Sequence, residues 1–232
     1  MSENYLDEII IDGIDETYAV DIDVDEVESA NIMLVDEVID GSYSMVSFER
    51  VMADCLEHQK ASIIGSKQSD EMLIAKTIFS DDIQTGGYVS PEDFNTDYFT
   101  DTATRLYDAI IERRQHMLNY MEDLVDNGTN VRACMVILSD GLDNVSRNSI
   151  SDARAAIQDL LQKEIIVAFI AFGQQAHGIA DKLGVPKKNV IEATNDEHEL
   201  RRLMALVSKS AISASKKASA GALGSDDGFF DV

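Results

Sequence analysis

Three short polar clusters contain the side chains of this chain that are best suited to binding a metal ion. They are Asp40-Gly41-Ser42-Tyr43-Ser44, Thr100-Asp101-Thr102-Ala103-Thr104 and Ser139-Asp140-Gly141. Carboxylate and hydroxyl oxygens are hard ligands, which suit Mg²⁺, Mn²⁺ or Ca²⁺ better than zinc. A simpler explanation is also open for the first cluster, because Asp40, Ser42 and Ser44 could merely cap a helix that begins at Met45.

The elements that must position these clusters alternate between strands and helices along the chain. Strands are predicted at residues 32–39, 72–79, 131–138, 165–172 and 189–193, and Gly86-Gly87 before Tyr88-Val89 suggests a hairpin or a bulge. Helices are predicted at residues 45–64, 104–125, 150–161, 176–183 and 196–210. Strands separated by helices of this length imply right-handed crossovers and a mostly parallel sheet, so the predicted fold class is α/β. Ligands bind beyond the carboxyl ends of such strands, where the three clusters lie.

The clusters, in this order and at these strand ends, resemble a von Willebrand factor A (vWA) domain with its metal-ion-dependent adhesion site. The resemblance covers about residues 31–210 and implies a Rossmann-like fold, with one antiparallel edge strand and helices on both faces of the sheet. It also implies a divalent cation, Mg²⁺ or alternatively Mn²⁺ or Ca²⁺. The positions that match the family's site are Asp40, Ser42, Ser44, Thr104 and Asp140. The segment 203–214 further resembles the final helix of small stand-alone members found near bacterial tellurium-resistance and stress genes.

The sequence departs from the family pattern at three places, one of which is that no glycine cluster precedes Thr104. Tyr43 stands between the two serines where small members usually carry glycine, so one face of the metal loop is expected to be screened. Asp36 and Glu37 interrupt the first predicted strand, which should be buried on both faces, and an unpaired buried carboxylate is costly. Two explanations are open: the strand begins after Glu37, or both carboxylates find buried partners.

Composition narrows the class of protein. The chain has 43 Asp and Glu against 19 Lys and Arg, a net charge of −24, which argues against a nucleic-acid partner. Residues 165–172, the longest wholly apolar run, cannot cross a bilayer that needs about 20 helical residues, so no membrane partner is expected. The chain begins without a basic segment, so no signal peptide is expected. Cys55 and Cys134 are too few for a disulfide framework. These features predict a soluble, reduced, cytoplasmic protein.

Three regions are predicted along the chain. Residues 1–30 contain no Lys or Arg and form an acidic arm, either solvated, added to the sheet as an edge strand at 20–24, or available to a partner. Residues 31–212 form the vWA domain. Residues 213–232 are low-complexity sequence, predicted to be a flexible tail with an acidic and aromatic tip that is either disordered or a short recognition motif.

The resemblance and the ligand types together predict a non-enzymatic adaptor whose metal ion captures an Asp or Glu of a protein partner. Surplus acids at both termini suggest self-assembly, in which a terminus of one molecule fills the metal site of the next. Two alternatives are open. The first is a structural or assembly subunit with a vestigial metal site. The second is a metal-dependent phosphatase or phosphotransferase that uses Asp40 or Asp21, because Asp21-Ile22-Asp23-Val24 resembles the first motif of haloacid-dehalogenase-type phosphotransferases.

Overall fold

The computed structural model describes residues 20–68, 71–194, 196–220 and 228–232, without the side chains of residues 174 and 175. The six strands are β1 (Asn31–Asp40), β2 (Met72–Phe79), β3 (Ile83–Thr85), β4 (Asn130–Ser139), β5 (Ile166–Phe172) and β6 (Val190–Ala193). The five α-helices are α1 (Glu49–Ile64), α2 (Leu106–Asp126), α3 (Ile150–Gln162), α4 (Gln174–Leu183) and α5 (Glu197–Ser219). A 3₁₀ helix at Tyr43–Phe48 precedes α1, where the sequence predicts one continuous helix from residue 45.

The strands form one sheet in the order β3-β2-β1-β4-β5-β6. All neighbouring pairs are parallel except β2 and β3, which pair antiparallel at one edge. This confirms the predicted fold class, including its single antiparallel edge strand. Because β1 and β4 are adjacent at the centre of the sheet, their carboxyl ends bring the first and third polar clusters side by side.

Both faces of the sheet are covered, which explains why the central strands are almost wholly apolar. Successive side chains of a strand point to opposite faces. In β1, Leu34 and Val38 therefore pack on the layer formed by α2, α3 and α4, whereas Val35 and Ile39 pack on the layer formed by α1 and α5. In the described part of the chain, no helix is long and apolar enough to span a membrane.

The two acidic residues inside β1 have buried partners, one on each face of the sheet. Asp36 forms an ion pair with Arg113 of α2 and accepts a hydrogen bond of 2.6 Å from the Tyr88 hydroxyl. Glu37 accepts a hydrogen bond from the side-chain amide of Gln59 in α1. β1 runs unbroken from Asn31, so of the two explanations offered by the sequence, a strand that begins after Glu37 is wrong and buried partners are correct.

Helix α5 extends to Ser219, so the predicted low-complexity tail from residue 213 begins too early. Its last turns present small side chains to the core: Ala211, Ala214 and Ser215 are buried. Small residues allow two helices to approach closely, and α5 packs along α1. A segment rich in alanine and serine, which is typical of a linker, here continues α5 and buries its small side chains against the core.

The described end of the acidic arm lies against α2 and does not form a strand. The backbone N–H of Ile22 donates to the Tyr88 carbonyl over 2.8 Å, and the Asp21 carboxylate contacts the backbone N–H of Tyr88 and the ring of His116. The interpretation of residues 20–24 as an added strand is therefore wrong. Residues 1–19 of the predicted arm lie outside the described residues.

The carboxyl-terminal tip packs on the body of the protein. Phe229 is buried on the α1–α5 side of the sheet, and its backbone N–H donates to the side-chain oxygen of Asn189 over 2.8 Å. The amide nitrogen of Asn189 in turn donates to the Val167 carbonyl over 3.1 Å. The aromatic tip is thus anchored to the start of β6 and to β5, whereas residues 221–227 of the predicted tail lie outside the described residues.

Candidate metal site

Asp40 ends β1 and is held by the loops on either side of it. Its Oδ1 accepts a hydrogen bond of 2.9 Å from the backbone N–H of Ser42, and its Oδ2 accepts one of 2.7 Å from the Ser139 hydroxyl. Burial raises the pKa of Asp40, hydrogen bonds from Ser42 and Ser139 oppose this shift, and the carboxylate of Asp140 adds to it. Two carboxylates therefore lie near one another at this edge of the sheet, an arrangement that a cation would stabilise.

Ser42 and Ser44 present their hydroxyls to each other with an Oγ–Oγ distance of 2.9 Å. Ser42 occupies the position before the 3₁₀ helix, yet its side chain makes no capping hydrogen bond, so helix capping does not explain this hydroxyl. The turn depends on Gly41, because a Cβ there would lie 2.6 Å from a methyl group of Ile78 and 3.0 Å from the Phe99 carbonyl oxygen.

Thr104 lies just before α2 and is tied by its backbone to the loop that follows β4. Its N–H donates to the side-chain oxygen of Asn144 over 3.0 Å, and its carbonyl accepts from the Asn144 backbone N–H over 3.1 Å. The same segment is joined to the first cluster, since the Asp101 N–H donates to the Gly41 carbonyl over 2.7 Å. The structure thus brings the loop of Thr104 against the loops of Asp40 and Asp140.

Asp140 follows β4 directly and is partly exposed, with its Oδ1 accepting a hydrogen bond of 2.9 Å from the Leu142 N–H. Gly141 permits the sharp turn after it. Its φ of +79° lies in the region that L-residues rarely adopt, and a Cβ would lie 2.7 Å from the Cα of Ala176. All five residues predicted from the sequence therefore lie on neighbouring loops at the carboxyl edge of the central strands.

Sequence reasoning missed the residues that hold this edge together. The first turn of α2 is capped by the loop after β4: the Tyr107 N–H donates to Asp143 over 3.1 Å, and the Asp108 N–H donates to the Ser146 hydroxyl over 3.2 Å. The Asp108 carboxylate accepts from the backbone N–H groups of Arg147 and Asn148 over 3.0 and 2.9 Å. These contacts fix the loop of Asp140 against the helix that begins beside Thr104.

We expect Asp108→Asn to lower the free energy of unfolding by about 1–3 kcal/mol at pH 7, because its amide would face N–H donors. Burial alone would raise the pKa of Asp108, but hydrogen bonds from Arg147 and Asn148 lower it overall. A lowered native pKa stabilises the fold above the ordinary value of 3.8, and this contribution disappears as the pH falls below it.

Urea unfolding at pH 7 and pH 3 measures this effect. The difference between wild type and Asp108→Asn should shrink at pH 3. Asp54→Asn is the control, because Asp54 lies in an ion pair with Arg201 in which both side chains are exposed, so it should change stability by less than about 1 kcal/mol. An Asp108→Asn deficit that is equally large at both pH values would contradict the assignment.

The ligand types in this edge fit a hard divalent cation. Within the described ranges, no group of three or more His, Cys, Asp or Glu side chains has the arrangement of a metal site. The cluster instead combines two carboxylates with serine and threonine hydroxyls, a donor set suited to ions that prefer oxygen. The carboxylate of Asp140 raises the pKa of Asp40, so a bound dication would relieve rather than oppose the electrostatics between these two groups.

Comparison with known proteins finds structural likeness but no sequence match. No protein-family model matches the chain, and no curated protein matches it significantly in sequence. The pilus adhesin SpaC of Lactobacillus rhamnosus GG superposes with a TM-score of 0.63 at 10% identity, over 80% of this chain and 30% of SpaC. Proximal thread matrix protein 1 of the mussel byssus, solved with a zinc-occupied MIDAS motif, gives 0.59 at 17% identity, over 79% of this chain and 46% of that protein.

These two matches mean that the chain spans less than half of either protein. In a third structure the match covers nearly the whole of the other chain. The VWA domain of SpRpn10 superposes with a TM-score of 0.51 at 11% identity, over 75% of this chain and 94% of that domain. The narrower resemblance to tellurium-resistance-associated members stays a prediction. The sheet order, the helix layers and these superpositions together establish that the chain has the fold of a von Willebrand factor A domain.

Proposed function

We propose that this protein is an interaction module that uses a divalent cation to bind a carboxylate of a protein partner. The residues that would hold the cation are Asp40, Ser42, Ser44, Thr104 and Asp140. When bound, the cation supplies a Lewis-acidic position for an Asp or Glu side chain from outside. The observation that carries the proposal is the pair of serine hydroxyls, 2.9 Å apart, beside two carboxylates and with no role in capping the helix.

The chain's own residues would make such a site selective for an external anion. Neutral hydroxyls from serine and threonine leave much of a dication's charge uncompensated, so an added carboxylate is attracted strongly in a partly buried position. Asp40 is fixed by Ser42 and Ser139, which would keep its carboxylate in place whether or not a cation is present. The exposed residue Ser44 and the partly exposed Asp140 leave one side open to a partner.

The position of Asp21 gives no support to the phosphotransferase alternative. A nucleophilic aspartate of that type should follow a strand at the carboxyl edge of the sheet. Asp21 precedes β1 and is engaged by the Tyr88 N–H and by His116 along α2. Asp40 does end a strand at that edge, but both of its carboxylate oxygens accept hydrogen bonds, from the Ser42 N–H and the Ser139 hydroxyl, so we propose binding, with no reaction, as the role of the metal site.

The test is calorimetric titration of the full chain with Mg²⁺, Mn²⁺ and Zn²⁺, followed by titration with an aspartate-bearing peptide. We expect one cation site, and we expect both Asp140→Ala and the double variant Ser42→Ala/Ser44→Ala to weaken cation affinity by at least about 10-fold. Peptide binding should disappear with EDTA and when the peptide's Asp is replaced by Asn. Asp54→Ala is the matched control on the exposed face of α1.

Unchanged cation affinity in both site variants would remove these residues from the proposal. Cation binding without any EDTA-sensitive peptide binding would favour a structural role for the site.

A further inference from the structure

Exposed apolar side chains are concentrated around the candidate metal site. Eight large apolar side chains are exposed among the described residues, and four of them lie in the two segments that directly follow β1 and β4. We call these four the apolar rim; they are Tyr43, Val46, Leu142 and Val145, with exposures of 70%, 48%, 49% and 47%. Single exposed apolar residues are ordinary on a protein surface, but a group of them marks an interaction surface.

The apolar rim adjoins the candidate ligands themselves. Tyr43 lies between the two candidate serines in the chain. The Leu142 N–H donates to the Asp140 carboxylate over 2.9 Å, and the Val145 N–H lies 3.4 Å from the Thr104 carbonyl oxygen. Each part of the proposed cation site therefore has an exposed apolar residue beside it. Tyr43, which the sequence predicts to screen one face of the site, is the most exposed of the four.

The loop that carries Leu142 and Val145 is held in place without help from a partner. The Asp108 carboxylate accepts hydrogen bonds from the backbone of residues 147 and 148, and Asp143 accepts from the first turn of α2. A surface that is already ordered loses little conformational entropy on binding, so its apolar contacts contribute more fully to affinity. The loop therefore forms a preorganised contact surface that does not need to fold on binding.

The charge around the site limits what can bind there. The chain carries a net charge of −24, and the exposed Asp101 is adjacent because its N–H donates to the Gly41 carbonyl. One partner carboxylate would be attracted by the cation, but further acids beside it would face repulsion from the protein's own carboxylates. Apolar neighbours of that single acid would instead meet the apolar rim.

We propose that the partner's recognition segment is one Asp or Glu flanked on both sides by apolar residues. This inference rests on the proposed function, because it assigns the surroundings of the carboxylate that the cation binds. It also disfavours the acidic arm of a second copy as the occupant, since residues 6–16 alone contain five carboxylates. The specificity would come from the apolar rim, while the cation supplies the obligatory anchor.

The experiment compares four peptides by fluorescence anisotropy on the full chain in Mg²⁺ and in EDTA. The apolar-flanked peptide has a single central Asp between Leu and Val, and the polar-flanked peptide has the same Asp between Ser and Gly. The third peptide is the apolar-flanked one with Asn in place of Asp. The fourth is residues 6–16 of this chain. We expect the apolar-flanked peptide to bind about 10-fold more tightly than the polar-flanked one, as burial of one or two aliphatic side chains would give.

Two variants and a control locate the effect. Leu142→Ser and Val145→Ser should each weaken the apolar-flanked peptide about 3- to 10-fold and leave the polar-flanked peptide unchanged. Val125→Ser is the control, because Val125 is equally exposed but lies at the far end of α2, about 28 Å along the helix from its start. It should change neither affinity.

The outcomes separate this inference from the proposed function. If the apolar-flanked and polar-flanked Asp peptides bound with equal, EDTA-sensitive affinity, the apolar specificity would be overturned and the metal-dependent function would stay intact. The same would follow if Leu142→Ser and Val145→Ser weakened the binding of both peptides equally. Tighter binding of residues 6–16 than of the single-acid peptide would overturn the charge argument. Binding that ignores EDTA and the Asn replacement would refute the proposed function, and this inference with it.

Discussion

Replacing Arg113 with methionine is expected to lower the free energy of unfolding by about 3–5 kcal/mol, because it leaves a buried carboxylate without its cation. The side chains of Arg113 and Asp36 are both fully buried, and the guanidinium lies 4.6 Å from the centroid of the Tyr88 ring. Arg113 also donates to the Gly86 carbonyl over 2.7 Å. Because an unpaired buried Asp would bind a proton, the deficit should grow as the pH rises from 4 to 8.

A double variant distinguishes loss of the ion pair from loss of packing. Asp36→Asn/Arg113→Met removes both charges and keeps an acceptor for the Tyr88 hydroxyl, which now donates to Asp36 over 2.6 Å. It should recover about half of the lost stability and remove the pH dependence of the deficit. Guanidinium unfolding of the wild type, the single variant and the double variant at pH 5 and pH 8 measures this. A double variant no more stable than Arg113→Met would mean that packing alone accounts for the loss.

The second large effect is a gain: Glu37→Gln should stabilise the protein above neutral pH. Burial raises the pKa of Glu37 to about 7, against hydrogen bonding from Gln59 and attraction by Lys76. The ordinary value is 4.5, so between pH 4.5 and 7 the native protein holds a proton that the unfolded chain has lost. Stability contributed by this group therefore falls as the pH rises through that window and stays low above pH 7.

Glutamine reproduces the protonated form of this site. Oε2 of Glu37 and Oε1 of Gln59 are buried without a hydrogen-bond partner among the described residues. A side-chain amide at residue 37 could donate to Gln59 and still accept the hydrogen bond that Gln59 now gives to Glu37. We expect a gain of about 2 kcal/mol at pH 8, less than the full pKa shift implies, because the attraction of Glu37 for Lys76 is lost as well.

Thermal or urea unfolding from pH 4 to pH 8 measures the gain, which should be near zero at pH 4. Glu57→Gln, at an exposed position of the same helix as Gln59, is the control and should change little at any pH. A Glu37→Gln protein that is less stable than wild type at pH 8 would show that the ionised carboxylate is satisfied in the fold.

Much of the architecture could be predicted from the sequence because its signals are local. The apolar runs of β4 and β5 indicate strands buried on both faces, and the alternation of strands with helices indicates a parallel sheet. The same rules place polar residues that follow such strands at one edge. The positions of Asp40, Thr104 and Asp140 on neighbouring loops follow from those patterns, together with the resemblance that their order suggests.

The partners of polar residues within the elements were decided by tertiary structure. Asp36 meets Tyr88 across 52 positions of sequence, and Glu37 meets Gln59 across 22. Nothing local marks an arginine in the middle of α2 as the counter-ion of a strand, since only the packing of that helix on β1 brings the two together. For the same reason, the local sequence did not predict the capping of α2. The capping residues lie in the loop after β4, between 36 and 40 positions later in the chain than the α2 residues they contact.

Residues 213–219 are a further case in which tertiary contacts, and not local sequence, decided the structure. A run of Ala, Ser and Lys is compatible with a linker and with a helix, because alanine favours helix while serine and lysine are common in both. The contact with α1 decides the matter, since burying Ala211 and Ala214 stabilises helical turns that would otherwise be marginal in water. Thus the sequence alone determined five of the six strands, the fold class and the edge at which the polar clusters gather, whereas the position of the short antiparallel strand β3 was not predicted. Pairing, capping and burial between distant residues were decided by the tertiary structure, because their free energies depend on neighbours that only the folded chain brings into contact.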